Sequence, residues 1–199
     1  MRIRIPFFLY AKTLILVLLG WSAHAEELRL SPEHISADFA RQVAYVLEPA
    51  SGLTPTEAAT ALVDAPTFAS TTINLGYLEH PVWLSITVAN ASNAPERWVL
   101  MTLRASLQVL EIYEVEGSVP VPLFDYDDDA QRLQAFEDYF GLAAAVDIGP
   151  NANKQILIRF KATASNWLPM EFVPSKKVAH ALFDKLATAL ITATRKSCI

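Results

Sequence analysis

Aromatic side chains in loops are the residues of this chain whose types best suit ligand recognition. Flat rings pack on the apolar faces of ligands such as sugars, while nearby polar groups hold the hydroxyls. Trp167 lies in a short loop beside a predicted strand, and loops carry binding residues more often than strand interiors do. We predict Trp167 as the leading ligand contact, together with its neighbour Asn166, and Tyr77 and Tyr126 as weaker candidates.

An acidic stretch is the only group of residues whose type suits a metal ion. Carboxylate oxygens ligate calcium, and Asp125, Asp127 and Asp129 lie close together in the sequence. The stretch has neither the turn glycine nor the bidentate glutamate of an EF-hand, so we predict a solvated loop and expect neither a metal nor a cofactor. These three aspartates stay as weak metal candidates.

Catalytic constellations do not emerge from the sequence. The histidines are scattered and lack the spacing of metal ligands, and no Ser-His-Asp or Cys-His set can be argued. Carboxylates are numerous, yet nothing singles out two of them as a glycosidase pair. We therefore predict a non-catalytic binding protein, with a secreted glycan-active hydrolase as the alternative.

The chain begins with the pattern of a secretory signal peptide. Basic residues precede a short apolar run at 13–20, and Ala23 and Ala25 form a small-x-small cleavage site. The run is too short for a comfortable membrane span. We expect residues 1–25 to be removed by cleavage after Ala25, and the protein to be periplasmic or secreted.

Composition limits the class of the remaining chain. The 199 residues are 52% hydrophobic and 19% charged, which is the composition of a folded protein rather than a disordered one. The formal net charge is −5, and residues 1–25 contribute only basic groups, so the rest is more acidic still. An acidic chain argues against a nucleic-acid partner. The single cysteine, Cys198, allows no internal disulfide, so the fold must depend on its core.

Alternating hydrophobic residues predict a series of short strands. Two of them contain tryptophans. One face of the first strand carries Val82, Leu84, Ile86 and Val88, and in the second strand Trp98 and Val99 lie on different faces. Thr54, Pro55 and Glu57 predict the start of one short helix. Further strands are predicted at 41–48, 73–77, 108–116, 139–148, 154–162 and 168–173, with an irregular segment at 122–138. This pattern favours an antiparallel β-sandwich or barrel.

Residues 176–199 differ in character from residues 26–175, the predicted sandwich domain. Apolar residues recur every four positions from Val178 to Leu190, and basic residues lie at both ends, which predicts an amphipathic helix. Three interpretations are open: packing on the sandwich, contact with an anionic membrane surface, or a poorly folded remnant of a membrane region.

The tryptophan strands carry a resemblance to a known family. The order of segments resembles the second type of extracellular sensor domain of bacterial seven-transmembrane receptors with diverse intracellular signalling modules, over about residues 38–174. The matching segments are residues 43–62, 75–77, 82–90, 98–100, 107–113, 155–160 and 168–172. Position 85 is serine where the resemblance leads us to expect a basic residue.

The resemblance implies a jelly-roll sandwich, similar to carbohydrate-binding modules, that senses a small extracellular ligand. A carbohydrate is the leading ligand class, and an intact membrane receptor is the partner through which sensing would act. In the family a membrane bundle should begin near residue 180, so the sequence is expected to represent a truncated receptor or a stand-alone periplasmic protein. A docking protein for an intact receptor is a further alternative.

Overall fold

Two β-sheets packed face to face form the protein. The structure is a computed structural model that describes residues 26–102, 104, 106–139 and 141–183. In this part of the chain we number nine strands: β1 (Leu28–Leu30), β2 (Ala44–Leu47), β3 (Val82–Asn90), β4 (Glu96–Thr102), β5 (Leu107–Glu116), β6 (Val119–Asp125), β7 (Leu142–Ile148), β8 (Asn153–Ala162) and β9 (Glu171–Pro174).

The strand order gives an all-β sandwich of jelly-roll type, as predicted. The large sheet has the order β1-β3-β8-β5-β6, and β2 shares with β1 the outer edge of β3. The small sheet has the order β7-β4-β9. From β3 onward the chain passes repeatedly between the sheets, and every pairing except the parallel contact of β1 with β3 is antiparallel.

The main core lies between the two sheets and follows the predicted alternation. Val82, Leu84, Ile86 and Val88 of β3 all point into it, and Trp98 faces them from the small sheet. Residues with the opposite parity point outward, because successive side chains of a strand lie on opposite faces. Both strand tryptophans are buried, Trp98 in this core and Trp83 on the outer face of the large sheet.

Helices cover the outer faces of both sheets. Helix α1 (Pro55–Ala61) begins at Thr54, whose hydroxyl and the Glu57 side chain form the predicted capping box, and Ala58 and Leu62 pack with Trp83 on the large sheet. The helical residues 178–183 place Val178, Ala181 and Leu182 on the outer face of the small sheet. The start of the predicted tail helix therefore packs on the sandwich, while residues 184–199, including Cys198, lie outside the described residues.

Several segments differ from their predicted structure. The segment predicted to be irregular contains β6 and helix α2 (Asp129–Tyr139). Residues 73–77, predicted as a strand, form an isolated bridge between Asn74 and Trp167. The first predicted strand begins instead with a 3-10 helix, Ala40–Gln42. β6 contains Pro120 and Pro122, which an edge strand tolerates because its outer N–H groups need no partner.

No helix in the described part of the chain is both long enough and apolar enough to span a lipid bilayer.

Candidate functional site

Trp167 lies in the loop that joins β8 to β9, at one end of the sandwich. Its backbone forms a bridge with Asn74, so the 163–169 loop is bonded to the 73–76 segment that precedes β3. The amide of Leu168 also donates to the carbonyl of Ile73 at 3.0 Å. The Trp167 side chain is 45% exposed, so its ring remains available on the surface of a firmly bonded loop.

Asn166 is fully buried and holds this loop together. Its side-chain oxygen accepts a hydrogen bond from the amide of Ala162 at 3.0 Å, and its side-chain nitrogen donates to the carbonyl of Gly76 at 3.2 Å. Its own carbonyl accepts from the amide of Leu75 at 3.0 Å. Asn166 is therefore buried within the loop, and its side chain is bonded to backbone groups of two segments.

A guanidinium group supports the Trp167 ring from the side of the β4–β5 connection. The central carbon of Arg104 lies 5.8 Å from the ring centroid, a distance at which a cation is attracted to the π face. The same group donates to the carbonyl of Trp167 and, at 2.7 Å, to that of Ser165. Sequence reasoning missed Arg104, because nothing in a single arginine after a strand indicates what it contacts.

A cleft of about 140 Å³ opens beside Trp167. Three segments line it, residues 37–40, 71–73 and 167–171, and they bring hydroxyl, carboxylate, aromatic and aliphatic groups together. Asp38 sits at a turn with φ of 58°. The first of these segments is fastened to β9, since the backbones of Ser36 and Phe172 exchange hydrogen bonds at 3.0 and 2.9 Å.

Tyr77 lies close to this end of the sandwich as well. It follows Gly76, whose carbonyl accepts hydrogen bonds from both nitrogens of Asn166, and whose φ of 65° permits a tight turn there. Its side chain is 83% exposed. The structure thus brings Trp167 and Tyr77 onto two bonded segments, although their sequence positions are far apart.

Tyr126 and the acidic stretch lie at the end of β6 and the start of helix α2. Tyr126 packs against the main core, and Arg132 lies over its ring at 4.9 Å. Asp128 caps helix α2 by accepting from the amides of Ala130 and Gln131 at 2.9 and 3.1 Å, and these bonds lower the pKa of its carboxyl group. We therefore keep Tyr126 out of the Trp167 site.

The side chains of two of the three candidate metal ligands, Asp125 and Asp129, make local contacts. Asp125 accepts a hydrogen bond from the amide of Asp127 at 2.9 Å, and Asp129 forms an ion pair with Arg132. Among the described residues, no group of three or more histidine, cysteine, aspartate or glutamate side chains is arranged to hold a metal ion.

A partly buried ionic network lies beside Trp83 on the outer face of the large sheet. Arg159 donates to both carboxylate oxygens of Glu48, at 2.7 and 2.8 Å, and to Glu111 at 2.6 Å. The indole nitrogen of Trp83 donates to Glu48 at 2.7 Å, and the hydroxyl of Tyr113 donates to Glu111 at 2.6 Å. These carboxylates are therefore committed to the fold.

The network perturbs two titrations. The hydrogen bond to Glu48 is the main reason why the pKa of Arg159 is raised, which keeps its charge fixed. Burial, followed by the hydrogen bond to Glu111, raises the pKa of Tyr113 well above its usual value. Both shifts favour the protonated forms that hold the network together.

Asn90 joins the loops at the opposite end of the sandwich. Its side-chain nitrogen donates to the carbonyls of Ala94 at 2.7 Å and of Gly149 at 3.1 Å, and its oxygen accepts from the amide of Ser92 at 3.0 Å. The residue is buried. Asn90 therefore stabilises the fold by joining these loops. Its position at the end of the first tryptophan strand is the feature of the sequence that indicates this role.

A match to a known protein family covers most of the two sheets. The family described as 7TMR-DISM extracellular 2 matches residues 40–173, from the 3-10 helix before β2 to the third residue of β9. The match covers more than half of the chain. The chain belongs to this family.

Membership of the 7TMR-DISM extracellular 2 family confirms the resemblance carried by the tryptophan strands. It gives the chain its broad function, that of a receptor sensor domain, and its broad location, on the extracellular or periplasmic side of a membrane. No curated protein matches the chain. The ligand must therefore be argued from the site.

Proposed function

We propose that this sensor domain binds a small extracellular ligand, with a carbohydrate as the favoured class, in the cleft beside Trp167, without catalysing a reaction on it. The observation that carries the proposal is the partly exposed Trp167 ring at the wall of a cleft that hydroxyl and carboxylate groups also line. An aromatic face with a few polar groups around it is the usual composition of a sugar site.

The way the site is built supports binding at the end of the sandwich. Helices cover residues on both outer sheet faces, whereas the Trp167 cleft is open at an end where three loop segments meet. Binding residues are concentrated in loops that a rigid framework holds in place. Tyr77, on the neighbouring bonded segment, is proposed as a second aromatic contact.

The proposal extends to the location and the partner. We propose that the protein is periplasmic or secreted after cleavage behind Ala25, and that a seven-transmembrane receptor is the membrane partner through which sensing acts. A carboxylate pair for glycan hydrolysis finds no support in the partly buried network, where Glu48 and Glu111 are both bonded to Arg159.

A thermal-shift screen of the purified secreted protein against mono- and oligosaccharides tests the proposal. A ligand that binds the native state alone raises the free energy of unfolding by about 2.7 kcal/mol at a hundredfold excess over its Kd. For a domain of this size, such a gain corresponds to a rise in Tm of roughly 5–10 °C.

The comparison of two aromatic variants locates the binding. Trp167→Ala should lose the shift, while Phe183→Ala, which removes an exposed aromatic ring outside the cleft, should keep it. A sugar that shifts both variants equally would place the site elsewhere. Turnover of the sugar by the unmodified protein would overturn the non-catalytic part of the proposal.

A further inference from the structure

We propose that Arg104 is the positioning residue of the Trp167 site: it fixes the indole as a ring with a single face available to the cleft. The inference rests on the proposed function for its biological meaning, but its geometry stands independently of any ligand.

The contacts of Arg104 converge on one short loop. One terminal nitrogen donates to the carbonyl of Trp167, the other donates to the carbonyl of Ser165 at 2.7 Å, and Nε donates to the hydroxyl of Ser106 at 3.2 Å. A guanidinium can make these bonds at the same time because its donors lie in one rigid plane.

The guanidinium also lies over the indole. The central carbon of Arg104 is 5.8 Å from the ring centroid of Trp167, so one side of the ring faces a cation. Trp167 lines the cleft, whereas Arg104 is not among the residues that line it. In this proposal, a ligand in the cleft meets the side of the indole that Arg104 leaves open.

Arg104 complements the buried anchor within the loop. Asn166 ties the backbone of the loop to Ala162 and Gly76. Arg104 holds both the carbonyl of Trp167 and its ring. A ring fixed in advance loses less conformational freedom when a ligand binds, which raises affinity without adding a contact.

Quenching of tryptophan fluorescence by acrylamide measures this role without a ligand. Of the described tryptophans, Trp83 and Trp98 are buried, so subtracting the signal of a Trp167→Phe counterpart isolates Trp167. Arg104→Ala should raise the quenching constant of Trp167 about twofold, because a second ring face becomes accessible. Arg104→Lys should give an intermediate value, since an ammonium group keeps the charge but lacks the planar fork.

Arg132→Ala is the matched control, because it removes an arginine that lies over another ring, that of Tyr126. It should leave the quenching of Trp167 unchanged. Unchanged quenching in both Arg104 variants would overturn the inference. Should Arg104→Ala fail to fold, Arg104→Lys decides alone, and hydrogen exchange of residues 163–168 must then be faster than in the unmodified protein.

The two proposals fail separately. Increased quenching in the Arg104 variants with no sugar bound in the screen supports the positioning role and removes the carbohydrate. A sugar that binds through Trp167 with equal affinity in Arg104→Ala and the unmodified protein leaves the site and removes the positioning role.

Discussion

Replacing Arg159 with methionine should destabilise the protein far more than the same replacement at Arg97. Both arginines grip a carboxylate with two hydrogen bonds of 2.7–2.8 Å, Arg159 on Glu48 and Arg97 on Asp147. They differ in burial. The side chain of Glu48 is 4% exposed and that of Asp147 is 64% exposed, so only the first carboxylate is left in an apolar environment when its partner is removed.

The magnitude follows from that difference. Removing one partner of a buried ion pair costs about 3–5 kcal/mol, and the partial exposure of Arg159 places its loss near the lower end, at about 3 kcal/mol. This corresponds to a fall in Tm of roughly 10 °C for a domain of this size. The exposed pair of Arg97 and Asp147 should contribute about 0–1 kcal/mol.

Urea unfolding followed by circular dichroism measures both losses on the same scale. The double variant Glu48→Gln with Arg159→Met should regain about 1–2 kcal/mol relative to Arg159→Met, because the more buried of the two carboxylates that Arg159 pairs with is then neutral. Equal losses for Arg159→Met and Arg97→Met would refute the reasoning, since they would show that burial does not decide the contribution of the pair.

Two further predictions concern the framework. Burial raises the pKa of Tyr113 in the folded state, so the folded protein keeps a proton that the unfolded chain releases. The free energy of unfolding should therefore fall as the pH rises above about 10. Tyr113→Phe should flatten this fall in urea titrations at alkaline pH, and an unchanged dependence of stability on pH would contradict the prediction. Asn90→Ala removes a buried carboxamide that donates to the carbonyls of Ala94, Ile148 and Gly149 and should cost about 3 kcal/mol in the same assay. A loss below about 1 kcal/mol would show that water replaces the carboxamide.

The strands that face the core were predictable because each carries its own periodicity. Every second residue of β3 from Val82 to Val88 points into the main core, as do Trp98 and Leu100 of β4, and a period of two is typical of strands. The start of α1 was predictable for a similar reason, since Thr54 and Glu57 bond to each other locally. Such features depend on neighbours in the sequence and need no tertiary contact.

The elements that were not predicted depend on side-chain caps and on contacts between distant segments, which hydrophobic periodicity does not indicate. Four clustered aspartates dominate the stretch before α2, yet Asp128 and Gln131 form a helix start in which each side chain contacts the other, at 3.0 Å. The two prolines of β6 argued against a strand. β6 can form because it lies at the edge of the sheet and pairs only with β5. Asn166 was predicted as a ligand contact because it is a polar residue next to Trp167. Its burial depends on the packing of two segments that are distant in the sequence.

The position of the candidate site follows from what the helices cover. The flat outer face of a jelly-roll sheet could present aromatic rings to a sugar, but here Trp83 is buried beneath α1 and Val99 and Met101 lie beneath residues 178–183. The proposed binding site therefore lies at the sandwich end where Trp167 and Tyr77 remain exposed. Composition does not distinguish a tryptophan in a strand from one in a loop, whereas the covering helix buries Trp83 and leaves Trp167 exposed as the proposed ligand contact.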